Sequence, residues 1–439
     1  MTTVESARLR AYNVGFGDCL LLSLTYRDAT RRHVLIDFGS TEKPTSAPRD
    51  HMKRIAENIA AETDNKLDVL IATHRHADHI SGFGDSKAGP IIEGLRPDVV
   101  IQPWTEDPDL ETNAREPAVA AAPDGHAALH RSLANMQAFA AGARAEGLRL
   151  QNVPKFPKRT AERLAFLGET NLKNKDAVNA LIRMGKRSRA VYAKFGDDLG
   201  LDDLLPGVTV EVLGPPTLKQ QPDIADYADE HDDYWLAAAG WGRAVEAGRA
   251  TADDLGEHIA PLFPDAVSKS IPPAAQWLIP RLNRSYADEM LSLLRIMDKV
   301  LNNTSLILLF HIGDTSLLFP GDAQIENWSY ALFKASNRKS ICARLAKTNL
   351  YKVGHHGSLN ATPRTLWNSF VHKESDSQAG ADRLISVMST KANKHGHPEN
   401  DTEVPRRPLV TALEKFTAYE STQRHTGTKP WADVDVPIR

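Results

Sequence analysis

The stretch Leu67-Asp68-Val69-Leu70-Ile71-Ala72-Thr73-His74-Arg75-His76-Ala77-Asp78-His79 decides how the rest of the chain is read. Its first half is a short apolar run of buried-strand type, and its second half places three imidazoles and a carboxylate within six residues. On the turn after a strand, His74 and His76 project the same way at i and i+2, while Asp78 and His79 swing to a neighbouring position as the chain bends. Neutral imidazole nitrogen and carboxylate oxygen are the donors a zinc-type ion prefers, so the pattern reads as two adjacent metal positions.

Outward from this turn, the N-terminal residues read as strands at 8–14, 19–26 and 33–37, a helix at 49–62 and a second buried strand at 99–104. From 105 to 300 Pro-rich, acidic loops alternate with helical spacing at 127–143, 176–186 and 286–301, with one core-type strand near 208–213. Strand patterning returns at 305–312, turns at Gly313-Asp314 and continues at 316–319. A helix at 323–335, a strand at 350–353, a helix at 363–370 and a strand at 384–389 follow. The expected division is an N-terminal half-core at 1–104, a mainly helical insertion at 105–300, a C-terminal half-core at 301–417 and a tail at 418–439. Two strand-rich halves flanked by helices imply a layered α/β sandwich.

Further chemistry-bearing residues fall at predicted strand ends. Asp322 follows an apolar strand in Phe319-Pro-Gly-Asp322, where its carboxylate can bridge two ions. His355-His356 closes another strand, one ring for the site and the other toward substrate; the sequence leaves open which is which. His395 and His397 follow the last core strand.

These residues carry a resemblance. The HxHxDH pattern after an apolar strand resembles the metallo-β-lactamase superfamily, and other motifs resemble its ComEC-like branch, the hydrolase domain of a competence protein. Asn13-Val-Gly-Phe-Gly-Asp18 is similar to that branch's NVGQGD opening, with Phe16 in place of Gln, and Leu35-Ile-Asp-Phe-Gly39 to its LIDTG strand. Asn303-Thr-Ser-Leu306, Phe319 to Asp322, Lys352-Val-Gly-His-His-Gly-Ser358 and His395-Gly-His-Pro398 follow in the same order. The resemblance covers residues 8–104 and about 303–400, leaving the insertion uncovered.

The resemblance implies a four-layer αββα sandwich holding two divalent ions, zinc first and manganese as the alternative. It implies His74, His76, Asp78, His79, Asp322, His356 and His397 as ligands, with Asp78, His355 and His395 acting on the reacting groups. Asp37 resembles a residue that orients a ligand histidine. One departure stands out: Asn302-Asn303-Thr304 replaces the Gly-His-Thr turn through which many superfamily members supply a ligand, and Asn is a poor zinc ligand. The expected activity is hydrolysis by a metal-bound hydroxide, acting on phosphodiesters of nucleotides or nucleic acid. Hydrolysis of a lactone, thioester or amide on the same core is the alternative, and a partner-binding role for the insertion is a third.

Composition sets outer bounds. In 439 residues, 53 Lys and Arg oppose 56 Asp and Glu for a net charge of -3, so there is no global basic field to hold long nucleic acid or a membrane. That balance favours a small nucleotide or a strand end. Two cysteines, Cys19 and Cys342, cannot build a disulfide framework, and neither signal-peptide patterning nor a membrane-length apolar run occurs, so a cytoplasmic location is expected. Gly15-Phe-Gly17 is no dinucleotide or phosphate-binding loop. The cationic run from Arg183 to Arg189, with Lys194, reads as a solvated helix end or a phosphate-contacting strip.

Overall fold

Among the described residues thirteen strands turn successive side chains to opposite faces, and that alternation sorts the interior into layers. They are seen in a computed structural model that describes residues 3–110, 114–117, 139, 141–154, 156–172, 174–222, 284–285, 287–288, 290–291, 301–358, 362–374, 380, 382–392, 394 and 403–439. The first sheet contains β1 (Val4–Tyr12), β2 (Cys19–Tyr26), β3 (Arg31–Phe38), β4 (Val69–Ile71), β5 (Val99–Pro103) and β6 (Arg189–Ala193). The second contains β7 (Val208–Gly214), β8 (Ile307–Ile312), β9 (Thr315–Phe319), β10 (Leu350–Lys352), β11 (Ile385–Met388) and β12 (Ala418–Ser421). The last strand, β13 (Trp431–Val436), returns to the first sheet.

The strand orders are β13-β1-β2-β3-β4-β5-β6 and β12-β11-β10-β9-β8-β7. The pairs β1/β2, β2/β3, β7/β8 and β8/β9 are antiparallel, while β3/β4, β4/β5, β9/β10 and β10/β11 are parallel. Leu20, Leu22, Val34, Ile36, Val69, Ile71, Leu308, Phe310, Leu317 and Phe319 face the space between the sheets. The residues one step out of phase face helices instead. Leu21, Leu35, Leu70 and Val100 pack with Ile55 and Ile59 of helix His51–Glu62 and with Leu181 of helix Asn174–Arg187. Ile307, Leu309 and Leu318 pack with Trp328, Leu345, Leu366 and Leu413 on the opposite outer face. The result is a four-layer α/β/β/α sandwich.

Strand β7 lies within the segment expected as the insertion and pairs with β8, and β6, also within it, extends the parallel run beyond β5. Helices Lys158–Leu172 and Asn174–Arg187 belong to the same segment, and Leu150, Phe156, Leu164, Met290 and Leu291 form a small core of their own there. The predicted helix at 127–143 falls mostly outside the described residues, as does that at 286–301. The C-terminal segment supplies an edge strand to each sheet, with β13 registering Val434 against Leu9. The predicted helix at 323–335 is helical at Ile325–Ser329 and then widens into a π turn at Tyr330–Lys334. Among the described residues no helix is long and apolar enough to cross a membrane.

His33 sits in β3 with its ring against Ser23 Oγ at 3.0 Å, and burial together with the nearby charge of Arg31 pushes its pKa down to about 4. A histidine kept neutral in the fold and free to charge when unfolded stabilises the native state above pH 6.5, and this contribution drains away as pH falls toward 4. His33 is therefore expected to withdraw roughly 2 kcal/mol between pH 7 and pH 5. Urea denaturation of His33→Asn at those two pH values should show a smaller acid-side loss than the parent chain.

Candidate metal centre

The parallel strands of both sheets end at the same edge of the sandwich, and the polar residues that follow them converge there. β3 delivers Asp37, β4 the turn from Thr73 to His79, β9 leads to Asp322, β10 to His355 and His356, and β11 to Ser389. Leu306 N–H donates to Thr73 O at 2.9 Å, so the two halves are joined by backbone beside the site. Gly17 and Gly39 allow the loops beneath to close up: a Cβ on Gly17 would lie 2.3 Å from Gly39 O, and one on Gly39 2.4 Å from His79 C. Asp37, His355 and His356 adopt positive φ of 57°, 43° and 52°. Non-glycine residues pay for that conformation with strain of order 1–3 kcal/mol each, and such residues cluster where a site demands a fixed geometry.

The donor atoms face one another in two groups. His74 Nε2 is 3.1 Å from His76 Nδ1, which is 3.0 Å from Asn302 Oδ1. Beside them Asp78, His79, Asp322 and His356 bring one donor atom each within 4.8 Å of all the others. Within this set His79 Nε2 is 3.1 Å from Asp322 Oδ2, and His356 Nε2 is 3.1 Å from Asp78 Oδ2 and 3.6 Å from Asp322 Oδ2. Ligands about 2.0–2.1 Å from a tetrahedral ion stand about 3.3 Å apart, so both groups have the spacing and the chemistry of a divalent-ion site.

Partners behind each ring set which nitrogen faces inward. His79 Nδ1 donates to Asp37 Oδ2 at 2.7 Å and His356 Nδ1 donates to Ser389 O at 3.0 Å, which leaves each Nε2 for the centre. Asp37 also accepts from Thr73 N–H and Thr73 Oγ1, both at 2.7 Å. Since the Thr73 hydroxyl proton goes to Asp37, its oxygen is left to accept from His74 Nδ1 at 3.2 Å. Arg75, the residue between the two inward histidines, is buried against Glu106 at 2.7 Å and pins the turn to the end of β5. The ring of Phe16 packs on His356 with centroids 4.3 Å apart.

Electrostatics mark the pocket as hungry for positive charge. Burial raises Asp78 and Asp322, yet the His356 hydrogen bond to Asp78 and the charges of His79 and His356 hold both carboxyls well below the usual range. Burial lowers His79 and His356, yet Asp322 above all, with Asp37 on His79 and Asp78 on His356, drives both upward. His74 goes the other way, lowered by burial and by the neighbouring charges of His79 and His76. Both upward shifts come from the carboxylates that share the centre with these rings.

Of the residues singled out in the sequence, His74, His76, Asp78, His79, Asp322 and His356 come together. His355 stands at the rim with a quarter of its side chain exposed, its Nδ1 2.8 Å from Ser358 Oγ and its Nε2 4.0 Å from Asp322 Oδ2. His395 and His397 lie outside the described residues. Asn302, flagged only as a departure, reaches the first donor group. Arg183 and Arg187 of the cationic run pair with Glu93, and Lys194 with Asp197. Sequence reasoning gave no role to Asp18 and Lys352, which form a buried ion pair directly beneath His79 and His356. Their signal was a lysine in the otherwise apolar run Leu350-Tyr-Lys-Val353.

A sandwich of this layering with histidines and carboxylates gathered at its strand ends has the form of a metal-dependent hydrolase. Residues 13–178 match the family model of the metallo-beta-lactamase superfamily, a stretch running from the loop before Asp18 through β5 into helix Asn174–Arg187. No curated protein and no solved structure matches the chain.

Asp37→Asn is expected to weaken divalent-ion affinity about 10–100-fold. In one orientation its amide would set N–H groups against His79 Nδ1–H and the Thr73 hydroxyl, and in the other against Thr73 N–H. Competition with a chelator of known affinity reads the change; unaltered affinity would remove the orienting role from Asp37.

Proposed function

We propose that the chain is a metal-dependent hydrolase of the ComEC-like branch and that it cleaves phosphodiesters in nucleotides or nucleic acid. The observation that carries this reading is the pair of adjoining donor groups, His74 and His76 with Asn302 on one side and Asp78, His79, Asp322 and His356 on the other. In this reading those histidines and carboxylates hold two ions, zinc in preference to manganese, and His397 completes the set. Divalent ions held by these residues would supply Lewis acidity and lower the pKa of a water at the centre.

The chain's own residues do the rest. Asp78, pulled below the usual carboxylate range, stays ionised to orient the attacking water through its free lone pairs. His355 stands at the open side with its backbone N–H fixed by Asp322 Oδ1 at 3.0 Å, placed to hand a proton to the leaving oxygen. His395 is the other proton donor in this reading. Phe16 and the wall behind His74 exclude water from the rear of the pocket. The near-neutral charge balance favours a small nucleotide, a strand end or a short single strand as substrate, and in this reading the segment 105–300, which follows β5 in the sequence, narrows entry or meets a protein partner. The two cysteines are unpaired thiols, in keeping with the cytoplasmic location proposed for the chain.

The test is hydrolysis of a generic phosphodiester, with zinc and manganese supplied separately, by the parent chain and by Asp78→Ala, beside a lactone and a thioester. Parent turnover on the phosphodiester that falls about a thousandfold in the variant, with its circular dichroism unchanged, is the expected result. Turnover retained by Asp78→Ala would end the role given to Asp78, and turnover on the acyl substrates alone would end the phosphodiesterase reading.

A further inference from the structure

Below the donor groups lies a second, fully enclosed compartment that the proposed reaction does not use. Asp18, Asp37 and His79 Nδ1 bring three donor atoms within 4.8 Å of one another, all buried, a combination that on its own would suit a metal ion. Asp18 is fixed by backbone on both sides, its N–H donating to Asp78 O at 2.9 Å and its carbonyl accepting from Gly39 N–H at 3.0 Å. Its Oδ2 lies 3.8 Å from His79 Nδ1 and its Oδ1 3.7 Å from His356 Nδ1. Into this compartment the last residue of β10 sends an ammonium group: Lys352 Nζ donates to Asp18 Oδ2, and both side chains are no more than 2% exposed. The pair joins residues 334 positions apart, one in the loop that leads into β2 and one at the end of β10.

Burying a lysine is costly unless its charge is answered, and here the answering charge is shared. Asp18 is the bonded partner, while Asp322 and Asp37 also act on the ammonium. A cation tethered to the backbone differs from a bound ion in two respects: it carries one charge instead of two, and it cannot leave.

We propose that Lys352 is the resident cation of this inner compartment, occupying the place a further divalent ion would take and setting through its fixed charge how tightly the outer donor groups hold theirs. The inference rests on the metal-binding reading given above. With Lys352 in place, Asp18 Oδ2 is bonded while Oδ1 has no hydrogen-bond partner, and the carboxylate's negative charge is cancelled next to His79 and His356. Without it, the same carboxylate would add a full unit of negative potential within 4 Å of two donor rings. Metal affinity should therefore follow the net charge of the Asp18–Lys352 pair, whichever side chains supply it.

The experiment uses the full chain and three variants, Lys352→Met, Asp18→Asn and the double variant, with zinc and manganese titrated separately against a competing chelator. Ions per chain are counted by elemental analysis, and melting temperatures are taken in chelator and in excess ion. Lys352→Met is expected to bind about ten- to a hundredfold more tightly than the parent and to take up one additional ion per chain. Asp18→Asn is expected to bind more weakly by a similar factor, and the double variant, which restores the parent's net charge, to return close to the parent. Should Lys352→Met unfold in chelator, recovery of its fold on adding the ion supports the proposal equally. Should it fail to fold under either condition, the order of Asp18→Asn, double variant and parent decides. Equal affinity across these three, with melting temperatures lowered alike in chelator and in ion, would reduce the pair to a strut between the sheets and overturn the proposal. A parent chain that binds neither ion would instead overturn the metal-binding reading itself.

Discussion

Four carboxylates, Asp18, Asp37, Asp78 and Asp322, are gathered at one end of this sandwich with almost no access to water, and nearly every local feature answers that constraint. Anions so placed stay ionised only if cations or oriented donors surround them. Asp18 has Lys352, Asp37 has the backbone and hydroxyl of Thr73 together with His79, Asp78 has His356, and Asp322 has His79 and His356. The histidines are thus bound up with the carboxylates as closely as with any ion. The same contacts that fix a donor nitrogen hold Asp78 and Asp322 below the usual carboxylate range, whereas burial carries Asp37 above it.

The topology makes this gathering affordable. Parallel strands deliver their carboxyl ends to one edge, and two sheets back to back deliver two sets of ends to the same edge, so residues as distant as Asp18 and Lys352 meet without long loops. The cost is carried in the backbone. Asp37 at the end of β3 and His355-His356 after β10 hold left-handed conformations, and the side chains so aimed are the ones that organise the donor groups. Strain of this kind persists only when the surroundings over-determine it, as the packed glycine loops beneath Asp78 and His79 do.

Much of the layering was legible because buried strands in the middle of a sheet have no freedom in their alternation. Along Val34–Ile36, Val69–Ile71, Val99–Ile101 and Ile307–Phe310 every second residue faces the other sheet and every other one a helix, so these stretches are wholly apolar and stand out. The edge strands gave less away. β6 opens with Arg189 and β13 alternates Asp433 and Asp435 with apolar residues, since an edge has one face in solvent and spends charge there. The donor groups were legible for a different reason: HxHxDH has little use other than ligation once it follows a buried strand. Lys352 was not, because a lone lysine in a strand reads as solvent-facing until the opposite sheet is known to bring Asp18 to it.

The two donor groups differ in charge, and the difference comes from Asp78 and Asp322. His74, His76 and Asn302 are all neutral donors, whereas Asp78 and Asp322 give the other group two negative charges. A histidine in place of Asn302 would leave that charge count unchanged but would trade a hard oxygen for a softer nitrogen. Asn302 therefore does not weaken the first group electrostatically; it shifts that group's preference toward ions that favour oxygen. The second group, through its anionic oxygens and in spite of the Lys352 charge beneath it, would carry most of the attraction for divalent charge. On the proposed reading, an ion beside Asp322 would be held by charge and one beside Asn302 by neutral donors alone.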